Sequence, residues 1–343
     1  MAGMPGQGTV VQAGLSKGSE DLMTASAGAT IDVVVGRADI VADQVVSLVL
    51  RRADGLPFEA WQPGAHIDVH VGDGLVRQYS LCSSPEELDH LRIGVLHVPD
   101  SRGGSKAVHA LLPGTPLAIS APRNNFPLRE SRRYLFLAGG IGITPIIPML
   151  EAADAAGKEW TLVYGGRSRK TMAFAQQLED RYGVDRIRVV AEDEVGRLDL
   201  DQVLAMPRAH MLVYACGPGG LLGAVEERCM GWPPGALHTE RFVASTLGAA
   251  AANAPFEVEL ARTGSTVSVT NDKTILEAVE EVGVRVLSSC RHGLCGTCET
   301  QIISGEPEHR DAVLSEEDRE AGEIMLVCVS RAAAGCPRLV LDL

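Results

Sequence analysis

The spacing of apolar and polar positions changes twice along the chain. From about 27 to 130 the apolar residues come in short runs, at 31–35, 45–50, 66–71, 91–97 and 116–120. Gly55, Pro63-Gly64, Gly72, Gly74 and Pro113-Gly114 separate them. Short β-rich runs between turn residues predict an antiparallel barrel. From about 131 to 243 apolar strands at 134–138, 161–164, 187–191 and 211–215 alternate with helical stretches running to 156 and over 171–182. That alternation predicts βαβ units around a mostly parallel sheet. An Ala-rich linker without strong period covers 244–256. Residues 257–343 then form a small α+β unit, beginning with a hairpin of 256–260 and 266–270, and Asp272 or Thr274 is placed to cap a helix reaching about 282. The expected division is a disordered tail at 1–26, a barrel at 27–130, an α/β unit at 131–243, the linker and the last unit. No internal repeat interrupts it.

Composition narrows the class. The 343 residues are 45 % apolar and 22 % charged, which excludes global disorder, collagen and a membrane bundle. With 31 basic and 44 acidic side chains the net charge is −13, which argues against non-specific nucleic-acid binding while leaving room for a local basic patch. No charge-free run of 18 apolar residues marks a membrane span. The first 26 residues are rich in Gly, Ser and Ala and have no apolar core of a signal peptide. The expected setting is the cytoplasm, where clustered cysteines bind metal rather than pair as disulfides.

The cysteines give the sharpest signal. Cys290, Cys295, Cys298 and Cys328 have the form C-x4-C-x2-C-x29-C, the plant-type [2Fe–2S] spacing. Three thiolates from one loop cost little chain entropy to gather, and Gly293 and Gly296 let N–H groups approach the sulfurs. Such clusters have potentials on the order of −400 mV. A zinc site normally combines two close pairs of ligands, whereas Cys328 stands alone in an apolar run at 324–329, expected to be a strand. Cys82, Cys229 and Cys336 read as packed or surface thiols.

Two motifs in the first segment suit a flavin. In Arg77-Gln78-Tyr79-Ser80 the guanidinium can pair with phosphate, the phenol can cover ribityl and ring, and the hydroxyl can reach the ring nitrogen that accepts hydride. Arg102-Gly103-Gly104-Ser105 offers an anion nest, a hydroxyl and the start of a helix through 108–112. The second segment carries Gly139-Gly140-Ile141-Gly142-Ile143-Thr144-Pro145 at a strand-to-helix turn, where the backbone can approach a pyrophosphate. It departs from the G-x-G-x-x-G form, and no acidic residue ends the next strand. Tyr214-Ala215-Cys216-Gly217-Pro218 sits at the carboxyl end of a later strand, where open α/β sheets bind ligands. In His238-Thr239-Glu240-Arg241-Phe242 the aromatic is placed to stack on the flavin from the domain boundary.

These motifs, in this order, resemble the phthalate dioxygenase reductase family, which includes reductase components of vanillate O-demethylases, over about 30–343. The resemblance implies a ferredoxin-reductase-like flavin barrel, a nucleotide domain and a C-terminal β-grasp ferredoxin. The barrel-first order looks like the FMN-using branch, with FAD the alternative. It implies that Arg77, Gln78, Tyr79, Ser80, Gly94, Val95 and Leu96 contact FMN, with Arg102, Gly103, Gly104 and Ser105 at its phosphate. Thr144 and Phe242 would reach the flavin from the second unit. Gly140, Gly142, Cys216, Gly217 and Pro218 would frame the nicotinamide nucleotide. Arg167, Arg169 and Lys170 stand where the adenosine ribose should lie, so NADPH remains the alternative to NADH.

The implied function is an oxygenase reductase. An electron pair from NADH enters FMN and leaves singly through the [2Fe–2S] cluster to a terminal oxygenase. That acceptor is a Rieske non-haem iron enzyme or O-demethylase, with a cytochrome P450 as the alternative. Ser80, Thr144 and Cys216 would serve catalysis in a monomer with no nucleic-acid or membrane partner. A flavin and cluster redox sensor without turnover is the rival from another class, and no added DNA-binding module supports it. A self-contained reductase of a small acceptor is the nearer rival, and the ferredoxin unit argues against it.

Overall fold

The computed structural model describes residues 30–72, 75–99, 103–242, 253–288, 290–291, 293–294 and 296–343. The expected tail, Arg102, Cys295 and most of the linker lie outside the described residues.

The first unit is built from β1 (Thr30–Ala42), β2 (Val45–Arg52), β3 (His66–His70), β4 (Val76–Ser80), β5 (Leu91–Leu96), helix α1 (Gly104–His109) and β6 (Pro116–Ser120). The strands pair antiparallel in the order β4-β3-β6-β1-β2-β5. A bridge between Leu81 and Ile93 brings the two edge strands together, giving the barrel that the short runs predict. Alternate residues such as Val33, Val35, Leu48, Leu50, Ile67, Val69 and Ile93 fill its interior. β1 is longer than its apolar run because two register shifts, at Val35/Arg37 and Ile40/Ala42, carry it through polar positions. α1 stops at His109 instead of continuing to 112, where a turn through Pro113 and Gly114 takes over.

The second unit comprises β7 (Arg133–Gly139), α2 (Ile143–Ala155), β8 (Glu159–Gly166), α3 (Ala175–Tyr182), β9 (Ile187–Ala191), the short α4 (Glu192–Val195) and α5 (Leu200–Val203), β10 (Met211–Cys216), α6 (Gly219–Cys229) and β11 (Leu237–Glu240). Its sheet runs β11-β10-β7-β8-β9, parallel throughout. Six consecutive residues of β7 are buried, as a strand covered on both faces requires. The helix expected at 171–182 is broken. A 3-10 turn spans Arg169–Thr171, Phe174 takes φ 64°, and α3 starts only at Ala175. Met172, Ala173 and Phe174 are buried at the break, and burying them outweighs an unbroken helix. β11 was not expected, since its Leu-His-Thr-Glu sequence carries no apolar run.

The third unit holds β12 (Phe256–Leu260), β13 (Ser265–Val269), α7 (Ile275–Glu281), β14 (Glu299–Ser304), β15 (Pro307–Glu308), α8 (Glu316–Ala321), β16 (Ile324–Leu326), β17 (Arg331–Ala332) and β18 (Arg338–Leu341). Its main sheet is β13-β12-β18-β14-β16, with β12 and β18 parallel. Thr274 rather than Asp272 caps α7, in a reciprocal box with Glu277. Arg331 is buried and donates to the carbonyls of Lys273 (2.6 Å), Thr270 (3.0 Å) and Ala254 (3.2 Å), fastening the end of the linker to this unit. Cys328 is not in a strand. β16 ends at Leu326, and the N–H groups of Val329 and Ser330 turn back to the Leu326 carbonyl, which swings Cys328 towards Cys298. Among the described residues no helix is long and apolar enough to cross a membrane.

Candidate functional site

The two flavin motifs meet. A Cβ on Gly104 would stand 2.4 Å from Arg77 Nε and 2.5 Å from its Cγ, so Arg77 lies directly across the glycine turn. Gly103 is left-handed (φ 87°) and Gly104 begins α1, the αL-to-helical succession that turns N–H groups to one side as an anion nest. The Ser105 hydroxyl is engaged with Val98, accepting from its N–H at 3.1 Å, so it braces this turn. Burial pushes the Tyr79 phenol up to about 12, against the pull of Arg77, which keeps it protonated. Gln78 Nε2 is buried without a protein partner, as are both ring nitrogens of His66 and Asp68 Oδ1. His66 and Asp68 are the cross-strand partners of Ser80 and Gln78. Burial, reinforced by Arg123, lowers His66 to about 4, so its ring is neutral. The Arg77 guanidinium set across a glycine nest fits a phosphate-bearing group such as FMN, and the unpartnered polar atoms of β3 and β4 mark a polar lining nearby on the same two strands.

β5 carries Gly94, Val95 and Leu96 to the second unit. A Cβ on Gly94 would come within 2.9 Å of Thr144 Cγ2, so only glycine admits this approach. Thr144 is buried there, and its hydroxyl donates to the Ile141 carbonyl (3.0 Å). A Cβ on Gly142 would stand 2.3 Å from the Cys216 carbonyl oxygen, and one on Gly217 would stand 3.0 Å from Gly139 Cα. The carboxyl ends of β7 and β10 are thereby pressed together. Gly140, with φ 54°, faces open space at the same end, where a nucleotide can approach the backbone. Pro218 precedes α6. Burial, then Glu240, pushes the Cys216 thiol well up, so Cys216 is a neutral group.

Sequence reasoning missed Glu240. Parallel pairing sets it beside Cys216, and Ser80 Oγ donates to its Oε2 at 3.5 Å. Burial lifts its carboxyl to about 8, with Ser80 acting in the opposite sense. A short polar strand gives no local signal for this, because the meeting is made by sheet register. Phe242 lies two residues beyond β11 and is 38 % exposed. In the expected basic cluster, Arg169 is held by Glu179 in two bonds (2.8 and 3.1 Å) and lies 3.5 Å from Glu194.

Three of the four predicted cluster thiols gather in the third unit, and Cys295 lies outside the described residues. Cys298 and Cys328 are buried and hydrogen-bonded to each other, with Cys290 acting on Cys328 electrostatically. Leu294 N–H donates to Cys290 Sγ (3.4 Å) and Gly293 N–H to Cys328, supplying the expected donors. A Cβ on Gly293 (φ 69°) would stand 2.6 Å from Val329 Cγ2, so the loop closes down on a glycine. The hydrogen bond with Cys298, then burial, push the Cys328 thiol far up. A cationic iron centre is what such a donor set needs in order to release its protons. Among the described residues, no three His, Cys, Asp or Glu side chains close on a single metal ion.

Known proteins agree with this arrangement. Models of two domain families match, an oxidoreductase NAD-binding domain over 136–227 and a 2Fe-2S iron-sulfur cluster binding domain over 258–333. The chain is 40 % identical over 319 residues to a vanillate O-demethylase oxidoreductase of Pseudomonas sp. (strain HR199 / DSM 7063), covering 91 % of this chain and 100 % of that protein. The solved structure of phthalate dioxygenase reductase, described as modular for electron transfer from pyridine nucleotides to [2Fe-2S], matches with a TM-score of 0.69 and 33 % identity. That match covers 92 % of this chain and 98 % of the other. An intact type IV self-sufficient cytochrome P450 monooxygenase matches at TM-score 0.84 and 40 % identity over 92 % of this chain, which spans 41 % of that longer protein. With such identity over nine-tenths of its length to proteins of this three-part architecture, the chain belongs to the phthalate dioxygenase reductase family and is an oxidoreductase.

Proposed function

We propose that the chain is the NADH-dependent reductase component of an oxygenase system, in which electrons pass from NADH through FMN and a [2Fe–2S] cluster to a terminal Rieske non-haem iron oxygenase or O-demethylase. The observation that carries this is the line of contacts from Gly94 through Thr144 and Gly142 to Cys216, which sets the flavin strand beside the nucleotide turn. When bound, FMN accepts an electron pair and the cluster carries single electrons. The chain's own residues place and tune these groups. Arg77 and the Gly103-Gly104 turn hold phosphate, with Arg102 opening the same motif. Gln78, Tyr79 and Ser80 would line the flavin with Gly94, Val95 and Leu96, and Phe242 would reach it from the second unit. Gly140, Gly142, Gly217 and Pro218 admit the nucleotide backbone, and Cys216 offers a neutral, polarisable contact to the nicotinamide. Ser80 and Glu240 hold a proton beside that contact at neutral pH. Cys290, Cys295, Cys298 and Cys328 ligate the cluster, which suits a reducing cytoplasm.

Glu179 neutralises Arg169 through two hydrogen bonds, which supports NADH over a nucleotide with a 2′-phosphate. A cytochrome P450 is the second acceptor, supported by the self-sufficient P450 whose chain contains a segment like this one. Parallel anaerobic titrations with NADH and NADPH, with chromatography of the released flavin, test the reading. NADH is expected to bleach the flavin at lower concentration than NADPH, and the flavin is expected to run as FMN. Stronger reduction by NADPH, or release of FAD, contradicts it.

A further inference from the structure

The contact between the cluster loop and the flavin barrel has a specific anchor. A Cβ on Gly296 would stand 3.6 Å from the Asn125 carboxamide nitrogen. Gly296 lies two residues before Cys298, and Asn125 lies in the segment that joins β6 to β7. That segment is fastened on both sides of Asn125. Asn124 Nδ2 donates to the carbonyls of Gln62 (3.3 Å) and Pro63 (2.9 Å), and Asn124 Oδ1 accepts from Phe126 N–H (2.9 Å). The Phe126 carbonyl packs under Gly64, where a Cβ would stand 1.9 Å from its oxygen. Arg123 exchanges both backbone hydrogen bonds with His66 (2.8 and 3.0 Å), and its guanidinium holds Asp68 at 2.7 Å. His66 in turn is the cross-strand partner of Ser80. Continuous backbone pairing therefore ties Asn125 to the strand that carries the flavin motif, while its side chain meets the loop that carries three cluster ligands.

We propose that Asn125 is a positioning residue for electron transfer: its carboxamide seats the cluster loop, at Gly296, on the flavin barrel. The proposal rests on the function given above. No bond forms or breaks at Asn125; each electron crossing this junction is lost by FMN and gained by the cluster. A carboxamide suits the place because it offers two donors and an acceptor to the half-buried loop backbone without adding charge. At Gly296, with φ 73° and no side chain, the loop presents only backbone to it.

The test uses the full chain with both cofactors bound, comparing wild type with Asn125→Ala and Asn125→Asp. The second variant keeps the size and loses the donor, which covers the case where truncation disturbs folding. After anaerobic rapid mixing with NADH, flavin bleaching is expected at the wild-type rate. Cluster reduction is expected to slow roughly fivefold to tenfold, the factor one lost polar contact carries. Hydrogen exchange of the oxidised proteins, a readout independent of turnover, is expected to rise at 293–299 and stay unchanged in β3 and β4. Wild-type cluster reduction and exchange in either folded variant overturns the proposal. A wild-type protein whose flavin ignores NADH instead overturns the functional reading beneath it.

Discussion

The flavin–nucleotide junction and the flavin–cluster junction are built on different principles. The first is interlocked at the main chain. Gly94 meets Thr144 across it, the Asp43 N–H donates across it to the Lys170 carbonyl (2.7 Å), and on the nucleotide side Gly142 is pressed against the Cys216 backbone. The Tyr214 hydroxyl adds bonds to the Pro127 carbonyl (3.0 Å) and from Arg129 N–H (2.7 Å), sewing β10 to the connecting segment. At the second junction the contact described is one carboxamide against one glycine of the cluster loop. Close-packed backbone has little room to move and suits chemistry that needs two reactants in van der Waals contact. Electron transfer tolerates a simpler seat. A single-residue change should therefore be able to separate the two halves of the reaction, and to do so asymmetrically.

The largest effect is expected from Cys298→Ala. Removing a ligand should abolish the cluster's visible bands and collapse cytochrome c reduction by NADH, while flavin bleaching persists. Unchanged cytochrome c reduction would mean that this acceptor bypasses the cluster. Gly142→Ala instead attacks the nucleotide turn that backs the first junction. Its methyl would stand 2.3 Å from a carbonyl oxygen, too close for side-chain adjustment to relieve. The expected cost is about 1–3 kcal/mol in denaturant unfolding, with slower flavin bleaching and intact cluster bands. A stable variant with wild-type bleaching would show that the junction is looser than its packing implies.

The smallest effect is expected from Glu240→Gln. The folded chain holds this carboxyl near 8, against an ordinary value of 4.5. Between those values the folded chain keeps a proton that the unfolded chain has lost, so wild-type stability falls as pH rises from about 4.5 to about 8. The Gln variant lacks that contribution and should gain on wild type across the same window. Parallel stability curves for the two proteins would place Glu240 in solvent rather than at the junction.

The parts of this account legible in the sequence are those written in consecutive residues. Arg77 to Ser80, the glycine turn after β7 and the cysteine spacing each carry their chemistry within a few positions, and the barrel strands other than β4 are built on apolar runs. What escaped is made by register and packing. Glu240 gains its place because β11 pairs with β10, and nothing in Leu-His-Thr-Glu announces a strand. The break before α3 occurs because Phe174 finds the core, which periodicity over 171–182 does not reveal. Cys328 leaves its apolar run because a turn has to deliver the thiol to Cys298. Asn125 matters through Gly296, 171 positions away along the chain.

The most direct measurement is stepwise anaerobic addition of NADH to the fully loaded protein, followed by absorbance and by electron paramagnetic resonance of the iron centre. Bleaching of the flavin together with the appearance of a reduced [2Fe–2S] signal is the expected result. Flavin and cluster spectra left unchanged by NADH, or metal analysis finding zinc in place of iron and sulfide, would contradict it.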